Sequence, residues 1–422
     1  MLEIQRIRNE KEEIIEGLKK RHFDATPIVD EILSVDEQWR TKKAELESVA
    51  SKMNQISKQI GMLFGQGKVE EANAAKAQTS EFKAQEASLK SEVDELDKAI
   101  TNLMYQLPNV PNALVKAGKS ELDNETIEEF GTTPTFDFTP LPHWDITDKF
   151  NLIDFELGVK ITGAGFPVYK GKGAKLQRAL ISFFLEEAEK HGYEEHIPPL
   201  VVNEASGYGT GQLPDKEGQM YYIKEDDLYL IPTAEVPLTN IYRNVMLPDE
   251  NFSIKITGFT PCFRREAGSY GKDVRGLNRL HQFDKVEIVR IEHPSNSDKA
   301  LNEMIDHVKG LLEKLGLQYR VLRLCGGDTG FAAAMTYDFE VYSAAQEKWL
   351  EVSSVSRFDT FQSTRLKLRF KNADKKSQLC HTLNGSALAL PRIVAALLEN
   401  HQTADGVNIP EVLHKYTGFE KI

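Results

Sequence analysis

The sequence predicts an α+β protein: a long antiparallel helical hairpin, or coiled-coil arm, followed by an antiparallel β-sheet domain flanked by helices. Three observations support this fold class: apolar heptad repeats near the N-terminus, a glycine-rich turn between them, and later strand-like runs with few intervening helices. We expect the arm to occupy residues 1–106, a linker residues 107–142 and the second domain residues 143–422.

Composition narrows the class of protein. Hydrophobic residues make up 41% of the 422 residues and charged residues 27%, which is ordinary for a soluble protein. The N-terminus has no apolar signal core, and no apolar stretch reaches the ~20 residues of a membrane span. Three widely spaced cysteines without a CxxC pair argue against disulfides or a zinc site and favour a cytoplasmic location. A net charge of −12 speaks against a nucleic-acid partner, although it does not exclude a local basic patch.

The arm is predicted from two heptad series. The first consists of Ile28, Ile32, Val35, Trp39, Leu46, Val49, Met53, Ile56, Ile60 and Leu63, with Lys42 as a polar interruption. The second consists of Ala72, Thr79, Phe82, Leu89, Val93, Leu96, Ile100 and Leu103. Between them, Gly65 and Gly67 permit the positive φ angles that end a helix. A short turn makes the two helices antiparallel neighbours, each about 50 Å long.

The periodicity of the arm alone favours a dimerisation or scaffolding hairpin. A different interpretation comes from charge, because no acidic residue lies between Glu47 and Glu70, whereas Lys52, Lys58 and Lys68 do. The distal end of the arm is therefore positive on an acidic protein. Three lysines are a small electrostatic footprint and do not identify a nucleic-acid partner by themselves.

The second domain is predicted to be a mostly antiparallel sheet with helices packed on it. Helices are expected over residues 174–190, 302–315 and 387–399. Strands are expected over residues 228–231, 252–263, 280–291, 319–324 and 349–353. Few crossover helices separate these strands, which argues against a doubly wound parallel fold.

Four strand-like segments carry polar or aromatic side chains that a plain core would not need. The pairs are Thr233 and Glu235, Arg264 and Glu266, Phe283 and Glu287 with Lys285 between them, and Glu351 and Ser353. In an extended chain, residues two apart share a face, so each pair is expected to point one way. A glycine-rich loop at residues 267–279, with Lys272, Arg275 and Arg279, is suited to phosphates.

The spacing of Phe283 and Glu287 carries a size argument. Four residues of strand span about 13 Å, close to the distance from an adenine ring to the amino-acid end of an aminoacyl adenylate. A phenyl face suits stacking on a base, and a carboxylate suits an ammonium group. Taken singly, each of these residues is more often part of a surface ion pair than a ligand, but together in one domain they favour a site that uses ATP.

Four segments carry a family resemblance: PTAEVPLTN, CFRREAGSYGKDVRGLNRLHQFDKVEIV, EVSSVS and LNGSALALPR. They resemble bacterial-type seryl-tRNA synthetases, which are class II aminoacyl-tRNA synthetases, and the helical arm extends the resemblance over essentially the whole chain. The resemblance implies a cytoplasmic homodimer with a six-stranded antiparallel sheet. The implied substrates are L-serine and ATP, and the implied metal is Mg²⁺ bound with ATP, with no zinc. The implied macromolecular partners are tRNA(Ser) and also tRNA(Sec), and no membrane association is expected. Seryl-adenylate would form first, and the seryl group would then pass to the 3′-end of the tRNA.

The resemblance also implies site residues. The implied ATP-binding residues are Arg264, Arg265, Glu266, Phe283, Glu351, Val352, Ser353, Ser354 and Arg392. The implied serine-binding residues are Thr233, Ala234, Glu235, Glu287 and Ser386. Catalysis would rest on Arg264 at the α-phosphate and Arg392 at the γ-phosphate, while Glu351 and Ser354 would hold Mg²⁺. Lys52, Lys58 and Lys68 become the expected tRNA contacts. The sequence departs from the family pattern at Arg265, which is one of these residues, and at Gly326, Arg357 and Pro391, which lie beside assigned ligands.

Two alternatives remain at this point. A synthetase-like ligase that charges a small amino acid onto a carrier protein would lack the arm and alter the pocket, whereas this chain has both the arm and the TxE sequence. A non-catalytic coiled-coil interaction protein would have lost Arg264, Glu351 or Arg392, and all three are present.

Overall fold

The computed structural model describes residues 1–249, 251–266 and 275–422. These residues form two compact units: one contains Leu2–Lys19 and Phe23–Pro108, and the other contains Met1, Lys20–His22 and Asn109–Ile422. Among the described residues, no helix has the length and apolar character that a membrane crossing requires.

The first unit is entirely helical. Its helices are α1 (Ile4–Asn9), α2 (Lys11–Lys19), α3 (Thr26–Gly65) and α4 (Val69–Met104). Helices α3 and α4 contain 40 and 36 residues, so they are about 60 and 54 Å long. Gly67 has a φ of +74° in the short connection between them, the conformation for which glycine is suited.

The heptad seam of the hairpin is confirmed by burial. Val49 on α3 and Leu89, Val93 and Ile100 on α4 are buried at the positions that the repeat predicts. Lys42, the polar interruption, extends its ammonium to within 3.0 Å of the Glu92 carboxylate on the opposite helix. An apolar seam with charged flanks is thus sufficient to specify the hairpin.

The second unit is built on strands. The strands are β1 (Glu125–Phe130), β2 (Ile153–Asp154), β3 (Val168–Tyr169), β4 (Glu194–Glu195), β5 (Val201–Asn203), β6 (Tyr222–Ile223), β7 (Leu228–Leu230), β8 (Met246–Leu247), β9 (Ser253–Phe263), β10 (Gln282–Glu292), β11 (Tyr319–Arg323), β12 (Met335–Ser343), β13 (Lys348–Asp359), β14 (Arg369–Lys371), β15 (Ser377–Leu379), β16 (His381–Ala389), β17 (Gln402–Thr403) and β18 (Gly406–Val407). The helices are α5 (His143–Lys149), α6 (Phe155–Ile161), α7 (Gly171–Lys190), α8 (Glu204–Thr210), α9 (Glu235–Asn240), α10 (Ser297–Lys314), α11 (Phe361–Leu366), α12 (Leu390–Asn400) and α13 (His414–Thr417).

The main sheet has the order β1-β11-β12-β13-β16-β10-β9-β4. The six central strands, from β11 to β9, pair antiparallel as the resemblance implied. One strand is added at each edge: β1 antiparallel to β11, and the two-residue β4 parallel to β9. Strand β1 lies inside the segment predicted as a linker. Its charged sequence, ETIEEF, does not have the apolar character from which the other strands were predicted.

Helices α7, α10 and α12 pack against the sheet around a common hydrophobic core. This core includes Phe184 of α7, Met304 of α10 and Leu397 of α12, together with Val286 and Phe339 from the strands. The helix predicted over residues 387–399 begins only at residue 390, so that part of the prediction was wrong. The three preceding residues complete β16, because the strand is continued by its pairing with β10.

Candidate active site

A cavity of about 540 Å³ opens against the main sheet. It brings together most of the candidate side chains, from segments separated by up to 159 residues along the chain. The candidates that line it are Thr233, Glu235, Arg264, Glu266, Phe283, Glu287, Glu351, Val352, Ser353, Ser354, Ser386 and Arg392.

Strand β10 places an aromatic ring, a cation and a carboxylate along the cavity. Phe283, Lys285 and Glu287 alternate on this strand, as the two-residue period predicts, and all three line the cavity. The Lys285 ammonium lies 2.5 Å from the Glu287 carboxylate and donates to the Thr233 hydroxyl at 2.9 Å. Lys285 and Glu287 are both buried, and a buried charge of either sign is stable only with such a partner.

Glu235 lies in the first turn of α9. Thr233 and Glu235 were expected on one face of a strand, and this expectation was wrong, because the chain turns into a helix at Glu235. The amide of Gln362 donates to one Glu235 oxygen at 2.6 Å, and the amide of Gln212 lies 3.3 Å from the other. Burial and the nearby charge of Glu287 raise the pKa of Glu235 to about 7. A cation bound next to Glu235 would lower this pKa and so favour the ionised carboxylate.

A β-bulge in β13 orients the candidate metal ligands. Glu351 pairs with Glu340 and Ser354 pairs with Asp338 on β12, and the register shifts between these pairs. Since Asp338 and Glu340 are two apart, Glu351 and Ser354 face the same side of the sheet although they are three apart. Ser353 pairs instead with Phe339. The expectation that Glu351 and Ser353 share a face was therefore wrong.

The pair Glu351 and Ser354 fits the chemistry of a magnesium ion bound with a nucleotide. Mg²⁺ prefers oxygen ligands and takes few of them from protein, with water and phosphate supplying the rest. The Glu351 side chain lines the cavity and is 49% exposed. A carboxylate and a hydroxyl on one face are the donor types that such an ion accepts.

Arg264 lies just beyond the end of β9, so its predicted strand alternation with Glu266 was also wrong. Its guanidinium covers the Phe283 ring at 5.2 Å from the centroid. Glu266 has a φ of +50°, and its carboxylate pairs with Arg279. This end of the cavity therefore combines an aromatic face with two arginines.

Arg392 lies in the first turn of α12, directly after Pro391. Proline is tolerated there because the amide it removes would be unbonded in any case. The Arg392 guanidinium donates to the backbone oxygens of Glu351 at 2.6 Å and Asn278 at 3.2 Å. Arg392 is thus positioned beside the candidate metal ligand Glu351.

The other candidates have different surroundings. Ala234 is buried in a small core with Leu238, Ile256 and Val289, and the Arg265 side chain is exposed. Neither Ala234 nor Arg265 is among the described residues that line the cavity. The loop candidate Lys272 lies outside the described residues. Arg275 covers the Trp144 ring at 4.6 Å.

The lysines predicted on the arm, Lys52, Lys58 and Lys68, are exposed in the first unit. The Lys68 ammonium lies 3.4 Å from the Glu71 carboxylate.

Some polar residues of the cavity region were given no role from the sequence. Lys285 was noted between Phe283 and Glu287, whose β10 face it shares, but was not assigned to the site. Gln212 and Gln362 hold Glu235 from distant segments. No local sequence signal marks these two glutamines, because their role depends on the tertiary fold.

Comparisons with known proteins agree with this geometry. Residues 1–111 match the family described as seryl-tRNA synthetase N-terminal domain, and residues 221–401 match the tRNA synthetase class II core domain (G, H, P, S and T). The chain is 50% identical to a serine--tRNA ligase of Salinibacter ruber, covering 100% of this chain and 99% of the relative.

Two solved structures are similar over the full chain. The seryl-tRNA synthetase from Pyrococcus horikoshii complexed with ATP gives a TM-score of 0.91 at 35% identity, covering 100% of this chain and 99% of the other. The cytoplasmic serine-tRNA ligase from Naegleria fowleri in complex with AMP gives 0.87 at 27% identity, covering 100% and 98%. By sequence, fold and the arrangement of its cavity, the chain belongs to the seryl-tRNA synthetase family of class II aminoacyl-tRNA synthetases.

Proposed function

We propose that this chain is a serine--tRNA ligase, which activates L-serine with ATP and transfers the seryl group to the 3′-end of tRNA(Ser). The observation that carries the proposal is the buried cluster of Thr233, Glu235, Lys285 and Glu287, which shares one cavity with Arg264 and Arg392. A pocket of carboxylates and hydroxyls suits a small polar amino acid, and the arginines suit the phosphates of ATP.

Serine recognition rests on Glu235, Glu287, Thr233 and Ser386. Lys285 balances one of the two carboxylates, so the second, Glu235, is left for the ammonium group of the substrate. The hydroxyls and the remaining carboxylate positions can pair with the serine hydroxyl. An analogue without that hydroxyl would leave buried polar groups unpaired, which discriminates strongly against it.

The nucleotide end rests on Phe283 and Arg264. Their separation of 5.2 Å leaves no room for a base between them, because each stacked pair of rings needs a centroid distance of about 4.5 Å or more. Arg264 therefore swings off the ring when adenine stacks there, and this movement carries its guanidinium towards the α-phosphate. Adenylation needs such charge stabilisation and positioning more than it needs a general base.

Arg392 and Glu351 serve the pyrophosphate end. In the structure, Arg392 donates to the Glu351 carbonyl and lies 3.6 Å from its carboxylate. Phosphate oxygens of ATP would compete for the Arg392 guanidinium and leave the Glu351 carboxylate available to bind Mg²⁺. Mg²⁺ held by Glu351 and Ser354 would neutralise developing charge on the phosphates.

The arm is proposed to bind tRNA(Ser), and also tRNA(Sec), through shape and phosphate contacts rather than base sequence. Lys52, Lys58 and Lys68 would supply these contacts. We further propose the domain limits of 1–106, 107–142 and 143–422 and a cytoplasmic location.

We propose a homodimer whose interface includes the extended segment after α7. This segment exposes Ile197, at 90%, together with Leu200 and Val201 at 37% each. Neighbouring exposed apolar side chains of this kind favour burial against a second copy of the chain.

The direct test is ATP–pyrophosphate exchange with serine, alanine and glycine as alternative substrates. Serine should support exchange with the highest kcat/KM, and the product should then charge tRNA(Ser). Exchange with alanine or glycine but not with serine would reject the substrate assignment. Transfer to a carrier protein in place of tRNA would favour the alternative ligase.

A further inference from the structure

The side chain of Arg21 binds three backbone carbonyls of the second unit. Its Nε donates to Asn109 O at 2.8 Å, its Nη1 donates to Thr329 O at 2.6 Å, and its Nη2 donates to Ala333 O. The planar guanidinium presents these donors in a fixed fork, which a lysine cannot reproduce. Burial lowers the pKa of Arg21 to about 10, so it stays charged at neutral pH.

The Thr329 and Ala333 carbonyls lie at the two ends of a short segment that lines the cavity. Gly330, Phe331, Ala332 and Ala333 all belong to the cavity lining. Arg21 therefore spans the ends of this segment, which we call the cavity wall (residues 329–333).

Asn109 holds the middle of the cavity wall. Its backbone amide donates to Phe331 O at 3.0 Å, and its side-chain amide donates to Ala332 O at 2.9 Å and to Phe358 O at 2.9 Å. Asn109 is buried and is itself held by Arg21 through its carbonyl. The two residues thus act as one hydrogen-bonded clamp on the backbone of the wall.

The approach of residues 20–22 to this region depends on Gly326. A Cβ at this position would lie 2.1 Å from the carbonyl oxygen of Lys20. The glycine, one of the departures from the family pattern, therefore permits the close backbone contact that seats Arg21.

The cavity wall is connected to the carboxylate Glu235. The Cβ of Ala332 lies against Gly211, where an added Cβ would be only 3.2 Å away. Gly211 precedes Gln212, whose amide lies 3.3 Å from the Glu235 carboxylate. A shift of the wall would therefore move the support of Glu235, whereas Phe283 is positioned by strand β10.

We propose that Arg21 and Asn109 are positioning residues for the amino-acid pocket, and that they act through the cavity wall on Gln212 and Glu235. The inference rests on the proposed role of Glu235 in serine binding. Neither residue touches the substrate, so the expected effect is on the affinity for serine rather than on the chemical step.

The test is steady-state ATP–pyrophosphate exchange by the full-length protein with Arg21→Ala, Arg21→Lys and Asn109→Ala. Arg21→Ala removes all three hydrogen bonds and should raise the KM for serine about tenfold, a change equal to the free energy of one charge-assisted hydrogen bond. The KM for ATP and kcat should change by less than about twofold, because this change removes binding energy that is equal in ground and transition states. Arg21→Lys should fall between Arg21→Ala and wild type, and Asn109→Ala should reproduce the selective increase in the KM for serine.

Arg8→Ala is the matched control. Arg8 also donates through more than one guanidinium nitrogen, to the Asp36 carboxylate at 2.5 and 2.8 Å, but within the helical unit. It should lower the melting temperature without changing the KM for serine. Equal changes in the KM values for serine and ATP, or a loss of kcat that follows only the folded fraction as in Arg8→Ala, would overturn the proposal. Absence of serine-dependent exchange in the wild type would instead reject the proposed function itself.

Discussion

In the helical hairpin, apolar side chains form one repeating seam and the functional candidates Lys52, Lys58 and Lys68 lie in solvent. In the cavity of the second unit, by contrast, Lys285 and Glu287 are buried and held by specific partners. In the hairpin, the side chains that stabilise the fold are therefore different from the candidate functional side chains. In the cavity, the candidate functional side chains are themselves buried, which costs desolvation free energy. Substitutions should accordingly have small, additive effects on the arm and large, cooperative effects in the cavity.

The largest effect is expected for Arg264→Ala. Removing one preorganised cation from the developing charge should lower kcat of exchange about 10²- to 10³-fold. Arg369→Ala, an exposed arginine on β14, is the matched control and should retain wild-type kinetics. A loss of less than about fivefold in Arg264→Ala would contradict an electrostatic role at the phosphate.

Acid should remove the contribution of His307 to the stability of the second unit. Burial lowers the pKa of His307 to about 4, so the unfolded chain binds a proton more readily than the folded chain below about pH 6.5. The contribution of this one group to stability is therefore lost as the pH falls, by about 2 kcal/mol at pH 5. In the arm, burial raises the pKa of Asp36, but hydrogen bonds from Arg8 and Arg40 outweigh it and lower the pKa. The ion pairs of Asp36 should therefore keep their contribution to the stability of the arm at pH 5.

Thermal melts at pH 7 and pH 5 check this difference. In a Trp39→Phe background, fluorescence of Trp144 and Trp349 reports the second unit alone. Glu235, whose raised pKa adds stability as the pH falls, is present in both proteins, so the wild type is compared with His307→Leu. Between pH 7 and pH 5, the change in melting temperature of the wild type should be less favourable than that of His307→Leu, and equal changes in the two proteins would rule out a contribution of this histidine.

The pH dependence of serine binding is expected to follow Glu235. Its pKa of about 7 means that the carboxylate is protonated at lower pH and loses its charge for the serine ammonium. The KM for serine should therefore rise about tenfold for each pH unit below 7. Glu235→Gln should have a high KM that is nearly independent of pH between 6 and 8, and a flat wild-type profile would exclude the titration of Glu235.

The smallest effects are expected on the arm. Single Lys52→Ala, Lys58→Ala and Lys68→Ala changes should each raise the KM for tRNA(Ser) about two- to threefold, as for exposed ion pairs. The effects should shrink at high salt because the contacts are to phosphates. Lys98→Ala, an exposed lysine elsewhere on α4, is the control. Identical KM values in all four variants would remove these lysines from the tRNA interface.

The two regions also differ in what their sequences predict. The two helices of the hairpin and most of their seam were predicted, because a heptad repeat encodes its own partner. The base differs by one position, where Val29 and Asp36 are buried in place of Ile28 and Val35. For the cavity, the sequence predicted which side chains come together more accurately than it predicted the backbone conformation that carries them. Thr233 and Glu235 enter a helix, and the bulge in β13 puts Ser354 rather than Ser353 on the face of Glu351. Periodicity cannot reveal a bulge, since the extra residue changes the alternation without changing composition.

Tertiary partners were the part that could not be predicted. Gln362 and Gln212 hold Glu235, and Arg21 and Asn109 hold the cavity wall. These residues come from distant parts of the chain. Their contacts exist only once the sheet and its loops have assembled.

Deletion of residues 32–96 tests the division of labour between arm and cavity most directly. Serine-dependent ATP–pyrophosphate exchange and seryl transfer to tRNA(Ser) should be measured on the same preparation. Exchange should remain within a few-fold of wild type, because the cavity lies wholly in the second unit, while transfer to tRNA should be abolished. An equal loss of both steps, or transfer that persists without the arm, would contradict the account.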